Sequence, residues 1–66
     1  HEECPLDILM DFNEWRKKQH LKSYVVIAEM LHIEPNETKK YLDLAKVPDS
    51  DSAVLKRMKE LMHGKN

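Results

Sequence analysis

The side chains best suited to chemistry form a short polar run that follows Pro35. This run and a lysine shortly after it supply five polar side chains: Asn36, Glu37, Lys39, Lys40 and Lys46. An asparagine amide can pair with the edge of adenine, and a lysine can donate to guanine or to phosphate. Their types therefore predict contacts with nucleic acid, provided that a helix presents them to solvent. A helix face that is merely solvated has a similar composition, so the surrounding elements must decide.

A second basic group precedes the centre of the chain. It comprises Arg16, Lys17 and Lys22, and Tyr24 follows it closely. Near the start of the next helix, these side chains could hold a DNA phosphate. Alternatively, the bases offset the dipole at the C-terminal end of the first helix. The sequence supports both interpretations equally.

Other chemistries lack the residues they require. Cys4 is the only cysteine, which excludes a disulfide scaffold and favours an intracellular compartment: cytoplasm or nucleoid, or the nucleus in a eukaryote. His1 and Cys4 stand three apart, but no other histidine or cysteine is spaced to complete a four-ligand zinc site with them, and no nucleophile is paired with a base. We therefore expect no enzyme activity, metal, cofactor or small-molecule substrate. No apolar run approaches the roughly 20 residues that span a bilayer, so no membrane association is expected.

Length and charge limit the remaining classes. The 66 residues make a single domain, 1–66, and the absence of an initial Met predicts a fragment of a larger protein. The net charge of −1 is unevenly distributed. Residues 1–15 hold 5 of the 12 acids and no base, so residues 16–66 carry all 11 bases and a local charge of +4. This basic part is compatible with a nucleic-acid partner.

Helical spacing of apolar residues predicts an all-α, compact bundle of four to five short helices. Residues 1–5 are expected to be a flexible lead-in. The first helix should run from Pro5 or Leu6 to Gln19 and bury Ile8, Leu9, Phe12 and Trp15. The second, Tyr24–Leu31, should be capped by Ser23. The third should begin at Pro35, bury Thr38, Tyr41, Leu42 and Ala45, and stop before Pro48. The fourth should bury Val54, Leu55, Met58, Leu61 and Met62, direct Lys56, Arg57 and Lys59 outward, and end near Gly64.

The central segment, residues 23–48, has the sequence pattern of a helix-turn-helix: a buried helix, the break His32–Pro35 and a polar helix. The heptapeptide Ile27-Ala28-Glu29-Met30-Leu31-His32-Ile33 resembles the LA-x-x-LG-V/I centre of Cro-type phage-repressor domains. The likeness covers Phe12 to Met62 in pattern and includes a turn proline, a small core residue, an aromatic and a closing proline: Pro35, Thr38, Tyr41 and Pro48. It implies double-stranded DNA as partner and the third helix as the element that enters the major groove.

Three positions differ from that family pattern. His32 replaces the glycine of the turn, which predicts a strained left-handed residue there. Ser23-Tyr24, followed by Val25, replaces the glutamine or serine pair that touches the DNA backbone. Leu44-Ala45-Lys46 stands where a glycine follows the recognition helix.

A competing interpretation is a small helical protein-interaction domain. The first helix is acidic, and four methionines supply adaptable apolar contacts: Met10, Met30, Met58 and Met62. Met10 stands outside the predicted buried stripe and is expected to form part of an exposed docking patch. This interpretation predicts a basic protein partner or a homodimer instead of DNA.

Overall fold

The computed structural model describes residues 4–64. Four helices form the fold: α1 (Pro5–Lys18), α2 (Tyr24–Leu31), α3 (Pro35–Leu42) and α4 (Ala53–Met62). α2 packs mainly on α3, and α1 packs mainly on α4, around one shared core. The predicted all-α bundle is confirmed, with four helices and no strand between residues 4 and 64. Residues 1–3 of the expected lead-in lie outside the described residues, and Pro5 is already helical.

The core contains most of the large apolar side chains that the spacing predicted, while Val54 and Met62 are only partly buried against it. Those that are almost completely inaccessible come from α1, α2 and α4: Leu9, Phe12, Ile27, Leu55 and Met58. Trp15 is only half-buried, and its ring stacks on Phe12 with 5.5 Å between the centroids. Phe12 therefore fills the centre of the core, while Trp15 covers its edge.

Each helix begins at a residue suited to that position. Pro5 and Pro35 occupy the first turns of α1 and α3, where a missing N–H costs nothing. Ser23 caps α2, since its hydroxyl oxygen accepts from the Val26 N–H at 3.4 Å. Ser52 caps α4 in the same way, accepting from the Leu55 N–H at 3.3 Å. These local signals fix where the helices start.

A left-handed residue that is not glycine follows each of the first three helices. His20, His32 and Leu44 have φ values of 61°, 60° and 62°. After α2, the His32 N–H donates to the Glu29 carbonyl at 3.2 Å and the Ile33 N–H donates to the Ala28 carbonyl at 3.0 Å. The left-handed conformation costs a non-glycine residue roughly 1–2 kcal/mol. The strain expected at His32 is therefore present.

Two details of the predicted helices are wrong. α1 ends at Lys18, one residue earlier than expected. α3 ends at Leu42, because Leu44 turns left-handed and the Ala45 N–H donates back to the Lys40 carbonyl at 2.9 Å. Ala45 is consequently exposed rather than buried. Pro48, further along the same loop, is buried.

A helix that crosses a bilayer must be both long and apolar. Within residues 4–64, no helix combines these two properties to the extent that crossing requires.

We predict that His32→Gly raises the free energy of unfolding by about 1 kcal/mol, because glycine takes the left-handed conformation without steric cost. Urea denaturation measures this as a higher midpoint at unchanged slope. Glu29→Gly is the matched control, since it places glycine inside the same helix at an exposed position and should destabilise by about 1 kcal/mol. An unchanged or lower midpoint for His32→Gly would contradict the proposed strain.

Candidate nucleic-acid interface

The connection between α2 and α3 is short and well fixed. It consists of His32, Ile33 and Glu34, a length typical of helix-turn-helix units. The Glu34 carbonyl accepts from the Thr38 N–H at 3.0 Å and from the Thr38 hydroxyl at 3.1 Å. Thr38 is completely buried. The turn and the first residues of α3 therefore form one rigid unit.

One side of α3 carries exposed polar side chains. Asn36, Lys39 and Lys40 are exposed, and none has a hydrogen-bond or ion-pair partner among residues 4–64. Their spacing of i, i+3 and i+4 places them on the same side of the helix. An amide and two ammonium groups are therefore available together to an external ligand.

Glu37 and Lys46, both predicted DNA contacts, form a cluster with Tyr41 at the surface. The Lys46 ammonium lies 3.4 Å from the Glu37 carboxylate. The Tyr41 hydroxyl donates to the same carboxylate at 3.2 Å, and Lys46 lies over the Tyr41 ring at 5.8 Å. Burial of Tyr41, and then the Glu37 charge, raise the pKa of its phenol above the ordinary value of 10.0. The cluster fastens the loop after α3 to the helix.

Arg16 and Tyr24 are likewise held by neighbouring groups. The Arg16 guanidinium donates to the Asn13 amide oxygen at 2.9 Å and to the Leu21 carbonyl at 3.1 Å. It also lies over the Tyr24 ring, 5.6 Å from the centroid. The Tyr24 hydroxyl donates to the Asp43 carboxylate at 3.1 Å. These bonds join the end of α1, the start of α2 and the end of α3.

The two remaining candidates, Lys17 and Lys22, are exposed and have no partner within residues 4–64. Lys22 lies in the connector just before α2. Lys17 lies on the outer side of α1, where it lines a shallow concavity together with Met10 and Leu44. Of the nine candidate residues, four form hydrogen bonds or ion pairs with other residues of the chain. The other five have no such partner within residues 4–64, and three of these five lie on α3.

Two residues that matter for this surface were not identified from the sequence. The Asn13 side-chain amide donates to the Leu42 carbonyl at the end of α3, at 2.9 Å. Arg57, predicted to point outward, is half-buried and donates to the Met30 carbonyl at the end of α2, at 2.8 Å. That prediction was wrong because carbonyl groups in the last turn of a helix have no partner within it and take donors from elsewhere. A polar residue beside Phe12 was the only signal for Asn13.

A comparison of the chain with protein-family models, curated proteins and solved structures finds no match. The likeness to phage-repressor domains therefore rests on the residue pattern alone and stays a prediction.

We predict that Asn13→Ala lowers the free energy of unfolding by about 1–2 kcal/mol, because the half-buried Leu42 carbonyl loses its donor. The neighbouring exposed substitution Glu14→Ala should change it by less than about 0.5 kcal/mol. Urea denaturation of both variants provides the test. Equal midpoints would show that the bond to Leu42 contributes nothing to stability.

We predict that Glu37→Gln lowers the pKa of Tyr41 toward its ordinary value, because the neighbouring negative charge is removed while burial persists. Ultraviolet titration of the phenol measures this shift, with Tyr41→Phe identifying which of the two tyrosines titrates. Since the folded pKa is raised, the folded state keeps the proton longer than the unfolded chain does. The contribution of Tyr41 to the free energy of unfolding is therefore fully present below pH 10.0. It is lost as the pH rises from there through the pKa of the folded state. An unchanged Tyr41 titration in Glu37→Gln would contradict the cluster.

Proposed function

We propose that this chain binds double-stranded DNA through α3, as the helix-turn-helix module of a transcriptional regulator or another DNA-associated protein. The observation that carries the proposal is the free polar side of α3. Asn36, Lys39 and Lys40 are exposed and unpartnered on a helix whose other polar neighbours are in use. Side chains that are not needed for folding are available for recognition.

The chemistry of these three side chains suits the major groove. The amide of Asn36 can donate to and accept from adenine N7 and N6, which gives sequence preference. Lys39 and Lys40 can donate to guanine or to phosphate oxygens. Asn36 lies in the first turn of the eight-residue α3, and Lys39 and Lys40 lie in its last turn, so the proposed contacts extend along the whole helix.

The occupied residues support this arrangement indirectly. Arg16 and Tyr24 join three elements around the base of α3, and Glu37 with Lys46 fixes the loop behind it. In this proposal they position α3 rather than touch DNA. Lys22 adds a backbone contact if the duplex extends over the connector before α2. Lys17 lies beside Asp11 and Glu14 on α1 and takes no part in this proposal.

The surface charge predicts weak binding by a single copy. The helix pair also exposes three carboxylates, those of Glu29, Glu34 and Asp43. Their negative charge offsets the attraction of Lys39 and Lys40 for DNA. Non-specific dissociation constants of roughly 10⁻⁴–10⁻⁶ M at physiological salt are typical of such proteins. Tight binding then requires a dimer or further DNA contacts from a larger protein.

We predict that the chain binds a fluorescent duplex at low salt and that Lys39→Ala/Lys40→Ala weakens binding about tenfold or more. For each lysine that holds a phosphate, its removal should also reduce the slope of log affinity against log salt by about 0.9. Fluorescence anisotropy over a salt series measures both quantities. Asn36→Ala should instead reduce the preference for the best duplex among a sequence set.

A control of equal charge is Lys56→Ala/Lys59→Ala on α4, where Lys56 is exposed and Lys59 is half-buried. Circular dichroism establishes that both double variants are folded. No binding at low salt, or equal weakening in the two double variants, would overturn the proposal.

A further inference from the structure

A second surface of the molecule has features of a binding site, and α3 does not form it. A shallow concavity of about 320 Å³ lies between α1 and the segment after α3. Its apolar side chains are Met10 and Leu44, each 48% exposed. Asp11, Asn13, Glu14 and Lys17 complete its lining.

Leu44 is unfavourable for the stability of the fold in two respects, its backbone conformation and its exposure. It adopts the left-handed conformation at φ 62°, which glycine or asparagine takes at lower cost. Its side chain is not part of the core cluster and leaves half its surface in water. The chain therefore accepts both backbone strain and apolar exposure at the same residue.

The outer side of α1 beside these apolar groups is acidic. Asp7, Asp11 and Glu14 are exposed, and none has an ion-pair partner within residues 4–64. Asp11 and Glu14 line the concavity itself, and Lys17 is its single basic group. The combination attracts a positively charged ligand that also has an apolar side chain, and it repels DNA.

We propose that this concavity binds a basic, amphipathic segment of another protein. An apolar side chain of the partner contacts Met10 and Leu44, while its lysines or arginines pair with Asp11 and Glu14. In a symmetric contact between two copies, each face carries two carboxylates and one ammonium group, so the excess of negative charge on both sides disfavours self-association. The proposal is independent of DNA binding, because none of the free residues on α3 takes part.

The probe is a synthetic amphipathic helix with lysines on one face and leucines on the other. A matched peptide with glutamates in place of the lysines is the charge control. Nuclear magnetic resonance of the isotope-labelled chain should show amide shifts centred on Met10, Glu14 and Leu44 with the basic peptide and none with the acidic one.

Variants separate the apolar and the charged contributions. Leu44→Asn, which suits the left-handed backbone, should weaken binding of the basic peptide about tenfold. Asp11→Asn/Glu14→Gln should weaken it and abolish its salt dependence. Val47→Asn is the control, because Val47 is 43% exposed in the same loop but does not line the concavity.

Three outcomes would overturn the proposal. The two peptides could bind equally, or Val47→Asn could weaken binding as much as Leu44→Asn does. Alternatively, the same amides could shift with protein concentration in the absence of peptide, which would identify a second copy of the chain as the occupant.

Discussion

Carbonyl oxygens at the ends of α2 and α3 have no partner within their own helix, and the two flanking helices supply donors for them. Asn13 of α1 supplies the donor for Leu42, and Arg57 of α4 supplies the donor for Met30. These pairs are 29 and 27 residues apart in the chain. The α2–α3 pair is thus attached to both flanking helices by directional bonds as well as by the apolar core.

The scarcity of glycine imposes a second constraint. Gly64 is the only glycine, so the three earlier helix ends use His20, His32 and Leu44 in a conformation that suits glycine better. The hydrogen bonds after each of these residues satisfy carbonyl groups of the preceding helix and offset part of the strain. A domain of this size has little stability in excess, so these ends matter to its total.

Local patterns predicted much of the fold. The bounds of α2, the cap at Ser23 and the burial of Thr38 and Tyr41 follow from neighbouring residues alone. The end of α3 could not be predicted in this way. Leucine is a poor residue for a left-handed position, and the apolar spacing continued to Ala45.

The candidate site was predictable to a smaller extent, for a similar reason. Periodicity is enough to place Asn36, Lys39 and Lys40 on the exposed side of α3. The pairing of Glu37 with Lys46 depends on how the following loop returns, and the bond from Arg57 depends on the packing of α4. Neither the course of that loop nor the packing of α4 can be predicted from the spacing of residues. Whether the free side chains contact DNA stays a prediction.

The bonds from Asn13 and Arg57 also determine how the molecule comes apart. α2 and α3 have eight residues each, which is below the length at which isolated helices persist in water. Without α1 and α4 they lose both donors and most of the core, so the pair cannot act as an independently folding unit. The hydrogen-bonded amides in the second halves of α2 and α3 should therefore exchange with solvent only when the entire domain opens. The polar surface of α3 is therefore formed only when the whole domain is folded. Any substitution that destabilises α1 or α4 also destabilises this surface.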